Sequence, residues 1–131
     1  PAQHAALAAL EKGGDFLKAK ISSLEPNRKL IMDALSVLPA GSVVGGWAIY
    51  FWAKLPSGCE NDIHAVEFLV KHFGVMVVPG SSCGVEGYIR VAFGNVVGQR
   101  MVDAADRLKR GLTHLMEHGL ADPGATDSAQ G

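Results

Sequence analysis

Two long helical patterns enclose three short apolar segments, and this order restricts the fold more than any other feature of the chain. The spacings of three, four and seven between apolar residues mark one face of a helix at each end. Between the helices, residues 48–55, 75–78 and 88–93 are short and rich in β-branched and aromatic residues, which is typical of strands. The predicted fold class is therefore a small α/β domain of the α+β kind, a three-stranded sheet with helices packed against it. The two helical faces comprise Leu17, Ile21, Leu24, Ile31, Leu35 and Leu38 in the first, and Val97, Met101, Ala104, Leu108, Leu112 and Leu115 in the second.

The same order leaves a second interpretation open. The elements follow one another as helix, helix, strand, helix, strand, strand and helix. An incomplete ferredoxin-like unit, as in ligand-binding regulatory domains, would show this order too. The pattern alone does not distinguish an enzyme part from a non-catalytic domain that binds a ligand or a protein partner.

Glycine, proline and capping residues predict where the first helices begin and end. Residues 1–12 are rich in alanine, and Gly13 with Gly14 would stop that helix. Asp15 then fits the N-cap of a second helix. Pro26 is expected to kink or split this helix near Leu24, and the run 39–41 to end it.

Capping residues and glycines also mark the ends of the later elements. Asn61 or Asp62 can cap a third helix that ends at Gly74. Asn95 can cap the last helix, which Gly119 would end. Residues 120–131 are small and polar and are expected to form a disordered tail. The expected apolar face of the third helix consists of Ile63, Val66, Val70 and Phe73.

Composition excludes several classes of function. The net charge is −1, so a basic nucleic-acid surface and a polybasic membrane patch are not expected. No apolar run approaches the roughly 20 residues of a membrane span. His114 and His118 are four apart on one helix but lack a third ligand, so no metal site is predicted.

The two cysteines, Cys59 and Cys83, suit a reducing compartment and favour the cytoplasm. A chain that starts at Pro1 is interpreted as part of a longer or processed protein.

Arg90 interrupts an otherwise apolar strand, YIRVAF. The alternation of strand side chains places Ile89, Val91 and Phe93 on one face, and Arg90 on the other. The first face is the predicted core. A guanidinium in the middle of the second face can bind a carboxylate through two parallel hydrogen bonds. The simpler interpretation is a solvated surface arginine, since arginines are mostly exposed.

Several segments resemble the class I and II aminotransferases of the fold-type-I pyridoxal-phosphate superfamily. The main one is VMVVPGSSCGVEGYIRVAFGN, which is similar to the family's apolar strand, Pro-Gly-Ser turn and arginine-bearing strand. GGWAIYFWAKLP resembles its Gly-Gly-aromatic strand, and NRKLIMDAL and MVDAADRLKRGL resemble its interdomain and terminal helices. PAQHAALAAL is similar to the helix after the catalytic-lysine segment. The combination is most like the plant-type branch that acts on methionine or aromatic amino acids.

The resemblance implies a domain organisation and a site. Residues 1–14 would end a large-domain helix, and residues 15–119 would form the small C-terminal domain. Arg90 would bind the α-carboxylate of the substrate, and Tyr50 or Trp47 would line the side-chain pocket. The parent protein would be a homodimer that exchanges an amino group between an amino acid and a 2-oxo acid, with pyridoxal 5'-phosphate (PLP) as cofactor.

The chain has no catalytic lysine of the kind that this chemistry needs. Transamination requires a lysine that forms a Schiff base with PLP. None of the seven lysines stands in the family's lysine motif, and no glycine-rich phosphate loop is present. No catalytic and no cofactor-binding residue is therefore predicted here. The missing large domain would supply them, and the isolated chain is expected to be inactive.

Overall fold

The computed structural model describes residues 1–126 of the chain. Helix α1 spans Ala2–Glu11 and helix α2 spans Gly13–Leu35. The break falls at Gly13, whose φ of 78° is open to glycine without strain. The predicted stop at the glycine pair is confirmed, since α1 ends at Glu11, and the second helix begins at Gly13 itself. Asp15 lies in its first turn and is not its N-cap, and its charge there complements the helix dipole.

Helix α2 runs through Pro26 without the predicted split. The ring removes one backbone donor, but packing on its C-terminal side keeps the helix continuous. The next residue, Asn27, is buried, and its side-chain amide donates to the carbonyls of Phe93 at 3.0 Å and Val96 at 2.8 Å. These bonds join α2 to the end of the last strand. The helix ends at Leu35, before the predicted stop at residues 39–41.

The sheet has four antiparallel strands in the order β1-β2-β4-β3, so the prediction of three strands was wrong. The missed strand is β1, which has only three residues, the last of them the first glycine of a pair, and therefore gives no alternating pattern. The predicted strand at residues 75–78 shrinks to two paired residues, since Val75 to Val77 leave the ladder. The strands are β1 Val43–Gly45, β2 Tyr50–Lys54, β3 Val78–Pro79 and β4 Tyr88–Ala92.

Helix α3 spans Asp62–Phe73 and has both predicted caps. The side chain of Asn61 accepts the His64 N–H at 3.0 Å, and Gly74 closes the helix in the left-handed conformation. The expected apolar face was only partly right. Ile63 and Val70 are about half exposed, because the helix turns its other residues to the core. The buried apolar residues of α3 are Ala65, Val66, Phe68 and Leu69.

Helix α4 spans Gln99–His118 and ends at the predicted Gly119. It begins four residues after Asn95, with Gly98 at the N-cap position, so the predicted cap was wrong and Val97 is exposed. A short helix, α5 at Pro123–Thr126, lies within the expected tail. The rest of that tail, 127–131, lies outside the described residues.

The core lies between the helices and one face of the sheet. Alternation along β2 and β4 buries the side chains of Phe51, Ala53, Ile89 and Val91 against the helical layer. Helices α2 and α4 pack on each other, and α3 packs on α4. The opposite face of the sheet, which we call the outer face, has no buried side chain. It carries Val44, Tyr50, Trp52, Lys54, Val78, Tyr88, Arg90 and Ala92.

Candidate functional site

Arg90 lies near the centre of the outer face. The ladder places it directly opposite Trp52 of β2 on one side and Val78 of β3 on the other. Its side chain is half-buried, as expected for the middle of a sheet face that no helix covers. The predicted alternation of this strand is confirmed, since Ile89 and Val91 are buried.

The guanidinium of Arg90 contacts two groups, and neither is an anion. Its central carbon lies 5.3 Å from the centroid of the Tyr50 ring, within range of a cation–π contact. Its Nη1 lies 3.9 Å from the Sγ of Cys83, at the long limit of a weak hydrogen bond. Among the residues that the structure describes, no carboxylate forms an ion pair with Arg90. The planar donor group is therefore available to an anion from outside the chain.

A tight turn leads from β3 to β4 and forms one border of this site. Residues Gly80–Cys83 make one turn of 3-10 helix after the extended Pro79. Gly80 is buried, and a Cβ there would lie 2.4 Å from the carbonyl oxygen of Val85. Only glycine fits, so the Pro-Gly pair in the sequence marks a close backbone approach.

The two aromatic residues predicted for the site lie in different parts of the structure. Tyr50 contacts Arg90, whereas Trp47 is 91% exposed and lies along a separate groove beside α2. Trp52 and Tyr88, which the sequence did not single out, stack on the outer face with ring centroids 5.6 Å apart. The signal for them was present in the alternation, because Trp52, Tyr88 and Arg90 all fall on the non-core face.

None of the lysines in the described structure is buried, so the chain shows no enclosed amine of the kind that holds PLP. A lysine that reacts with this cofactor is held in a pocket. Lys109 is half-buried beside Asp33, with 2.9 Å between Nζ and Oδ2, and the other lysines are exposed. No chemical step through the cofactor can therefore be assigned to this chain.

The part of the chain that the structure describes shows neither a cluster of metal ligands nor a membrane-spanning helix. No group of three or more candidate ligands comes together there. His114 stacks on Phe68, and its Nε2 lies 2.8 Å from the Ala121 carbonyl oxygen, so this ring is part of a helix-end contact. Among residues 1–126, no helix has the length and apolar character needed to cross a bilayer.

The chain is similar to aminotransferases over most of its length. Residues 1–108 match the family "Aminotransferase class I and II". An aromatic aminotransferase from Arabidopsis thaliana is 40% identical over 121 residues, 92% of this chain and 31% of the plant protein. An LL-diaminopimelate aminotransferase from Nitratidesulfovibrio vulgaris is 30% identical over 108 residues, 81% of this chain and 28% of that protein. The chain thus spans about a third of these relatives.

Solved structures agree on the fold. The crystal structure of an aromatic aminotransferase from Pyrococcus horikoshii matches with a TM-score of 0.65 at 23% identity, over 82% of this chain and 28% of that one. At this identity the match supports the architecture, a mixed α/β domain with an antiparallel sheet. Because the family match covers residues 1–108 of 131, the chain belongs to the class I and II aminotransferases.

Proposed function

We propose that this chain is the small C-terminal domain of a PLP-dependent aminotransferase, and that Arg90 binds the α-carboxylate of the substrate. The observation that carries the proposal is the half-buried guanidinium near the centre of the outer face, with no carboxylate partner among the described residues. A half-buried charge is stabilised by an anion, and a carboxylate matches its geometry through two parallel hydrogen bonds.

The rest of the parent protein would hold PLP and the lysine, and the cofactor would supply the electron sink for amino-group transfer. The role of this chain would be to bind, orient and enclose. Arg90 would fix the α-carboxylate, and the ring of Tyr50 beside it would border the substrate side chain. The outer face would meet the large domain, so that closure excludes water from the site.

The same proposal extends to the domain boundaries and the assembly. In α1 no residue is buried, and its main contact is with the neighbouring α2, which suits a segment that completes its packing on a large domain. Residues 1–14 would therefore belong to that domain, and residues 15–119 to the small one. A homodimer of the parent protein, and an aromatic amino acid or methionine as one substrate, are the corresponding proposals for partner and specificity.

Replacing Arg90 in the full-length protein tests the proposal. Arg90→Lys keeps the charge but loses the planar fork, so it should cost about 2–4 kcal/mol of transition-state binding. That loss corresponds to a fall of roughly 30- to 1000-fold in kcat/KM, with PLP absorbance unchanged.

Arg110→Lys is the matched control for this experiment. Arg110 is exposed and pairs with Asp106 on its own helix at 2.9 Å, away from the outer face. Its kinetics should stay within about twofold of the wild type, since exposed pairs contribute little. Wild-type kinetics in Arg90→Lys would remove Arg90 from the site and favour a non-catalytic ligand-binding or protein-interaction domain.

A further inference from the structure

We infer that Asp62 is a positioning residue for Arg90 and acts through the 3-10 turn at Gly80–Cys83. The inference rests on the proposed function, because it concerns how the substrate-binding guanidinium is held. In the described structure Asp62 forms no hydrogen bond or ion pair with Arg90. Its side chain lies on the other side of the turn, at the start of α3.

Asp62 is the only buried carboxylate in the described part of the chain. Its side chain is 2% exposed, and the structure shows no cation in an ion pair with it there. Removing a carboxylate from water is costly unless hydrogen bonds compensate. The first turn of α3 supplies a favourable dipole, and the Ser81 N–H donates to Oδ2 at 2.5 Å. The buried charge is therefore tied to the turn.

The bond to Asp62 adds an anchor on helix α3 to the few bonds that hold the turn within itself and to β4. Strand β3 pairs with β4 at only two positions, Val78 with Arg90 and Pro79 with Ile89. Within the turn, the Val85 N–H donates to the Gly80 carbonyl at 3.0 Å. These bonds fix its internal shape and its junction with β4. The bond from Ser81 to Asp62 ties it to helix α3.

Cys83 transmits this position to the guanidinium. Cys83 follows Ser81 by two positions in the same turn. Its Sγ lies 3.9 Å from Nη1 of Arg90. The Tyr50 ring borders the guanidinium as well. A turn released from Asp62 would withdraw one of these two contacts. Arg90 would then sample other rotamers, and fewer molecules would present the fork in the orientation that a carboxylate needs.

The test measures steady-state kinetics of the full-length enzyme with Asp62→Ala, which removes the acceptor, and Asp62→Asn, which keeps a neutral one. We expect KM for the amino-acid substrate to rise roughly 10-fold in Asp62→Ala, with kcat within about twofold. In Asp62→Asn we expect KM to rise by about 2- to 4-fold, between the wild type and Asp62→Ala, because an uncharged oxygen is the weaker acceptor. Hydrogen exchange in the peptide covering 80–83 should accelerate in the same order.

Asn61→Ala is the matched control. It weakens the same end of α3 by removing the cap on the His64 N–H, yet leaves the bond to Ser81 in place. Its KM and its exchange at 80–83 should stay at the wild-type values. An equal rise of KM in this variant would show a general effect of helix fraying and overturn the inference.

Two further outcomes decide the inference. Wild-type KM in a folded Asp62→Ala would overturn it, and if that variant does not fold, wild-type KM in Asp62→Asn would do the same. The proposed function is tested separately by Arg90→Lys. Should Arg90→Lys lose activity while the Asp62 variants do not, only the positioning role fails. Should Arg90→Lys keep full activity, the proposed function fails with it.

Discussion

The five arginines of the chain differ in what their guanidinium groups meet. Those of Arg28, Arg107 and Arg110 donate to carbonyl or carboxylate oxygens of the protein, and Arg100 is exposed to water. Arg90 alone among them is half-buried without such an oxygen in the described structure. A guanidinium in this setting favours an external anion, because it is partly removed from water and no protein oxygen takes up its donors. The sequence could mark the strand position of Arg90, but not the lack of an internal partner.

The loop before α3 gives a prediction at the same scale. The Glu60 carboxylate accepts the Gly58 N–H at 2.9 Å, and this bond, with the N–H of Glu60 itself, lowers the pKa of Glu60 from its ordinary 4.5. A depressed folded-state pKa stabilises the fold above the unfolded-state pKa, and the contribution is lost as pH falls through the folded value. Wild type should therefore exceed Glu60→Gln in free energy of unfolding at pH 7, and the difference should shrink as the pH falls below 4.5.

Urea denaturation of both proteins at pH 7, 5 and 3 measures this difference. The thiol of the neighbouring Cys59 does not titrate between pH 3 and pH 7 and so does not affect the comparison. Burial, and then the charge of Glu60, raise the pKa of the Cys59 thiol from 9.0, so it stays protonated throughout. A difference between wild type and variant that is independent of pH would show that the carboxylate charge contributes nothing.

Among the elements, long helices were easier to predict than short strands and turns. Helices α3 and α4 carry strong periodic patterns and terminal glycines, so their existence and their ends at Gly74 and Gly119 were foreseen. Strand β1 was missed, because three residues are too few for an alternating pattern. The split at Pro26, one of the two outcomes predicted there, was wrong, because the packing of Asn27 against the segment after β4 cannot be read from local sequence.

The candidate site divides in the same way. Alternation within the strand YIRVAF placed Arg90 on the non-core face, and the family resemblance added Tyr50, whereas the position of Trp52 opposite Arg90 comes from the structure. The bond between Asp62 and Ser81 joins residues 19 apart across a turn, and no periodicity signals such a contact. Long-range contacts of this kind depend on the tertiary fold, whereas the periodic patterns depend only on local geometry.

The turn between β3 and β4 allows a test of how tightly this element is packed. In Gly80→Ala the added methyl would lie 2.4 Å from the Val85 carbonyl oxygen and 2.8 Å from that of Tyr88. Both are backbone atoms, so no side-chain rotation relieves the clash. We expect a loss of about 1–3 kcal/mol in the free energy of unfolding, measured by urea denaturation.

Gly14→Ala is the control for that substitution. Gly14 lies in the first turn of α2, has an ordinary helical φ, and has no atom within 4 Å of the added methyl. Since alanine favours a helix over glycine, this variant should be neutral or more stable by up to about 1 kcal/mol. Equal losses in both variants would show that the turn is not tightly packed.

At the scale of the whole molecule, helices cover one face of the sheet and leave the other face uncovered. The helical layer buries the inner face, while the outer face leaves Tyr50, Trp52 and Tyr88 accessible around Arg90. Apolar side chains of α1 and α2 are also exposed, among them Leu10 at 74% and Ile21 at 68%. A lone domain with this surface is typical of a part whose remaining wall lies in another domain. The chain therefore fits half of a cleft better than a complete site.

If the lysine that binds PLP belongs to the rest of the parent protein, as proposed, the behaviour of the 131-residue chain with PLP can be predicted. A lysine that captures the cofactor selectively is set in a pocket, and the lysines here are exposed or, for Lys109, half-buried beside Asp33. After incubation with PLP and borohydride reduction, we expect only weak labelling spread over several lysines, quantified by peptide mass spectrometry. The full-length protein is the control, and there one lysine outside this chain should be labelled with a stoichiometry near one. Stoichiometric labelling of a single lysine within residues 1–131 would place the cofactor anchor in this chain, because only a built pocket distinguishes one amine from six others.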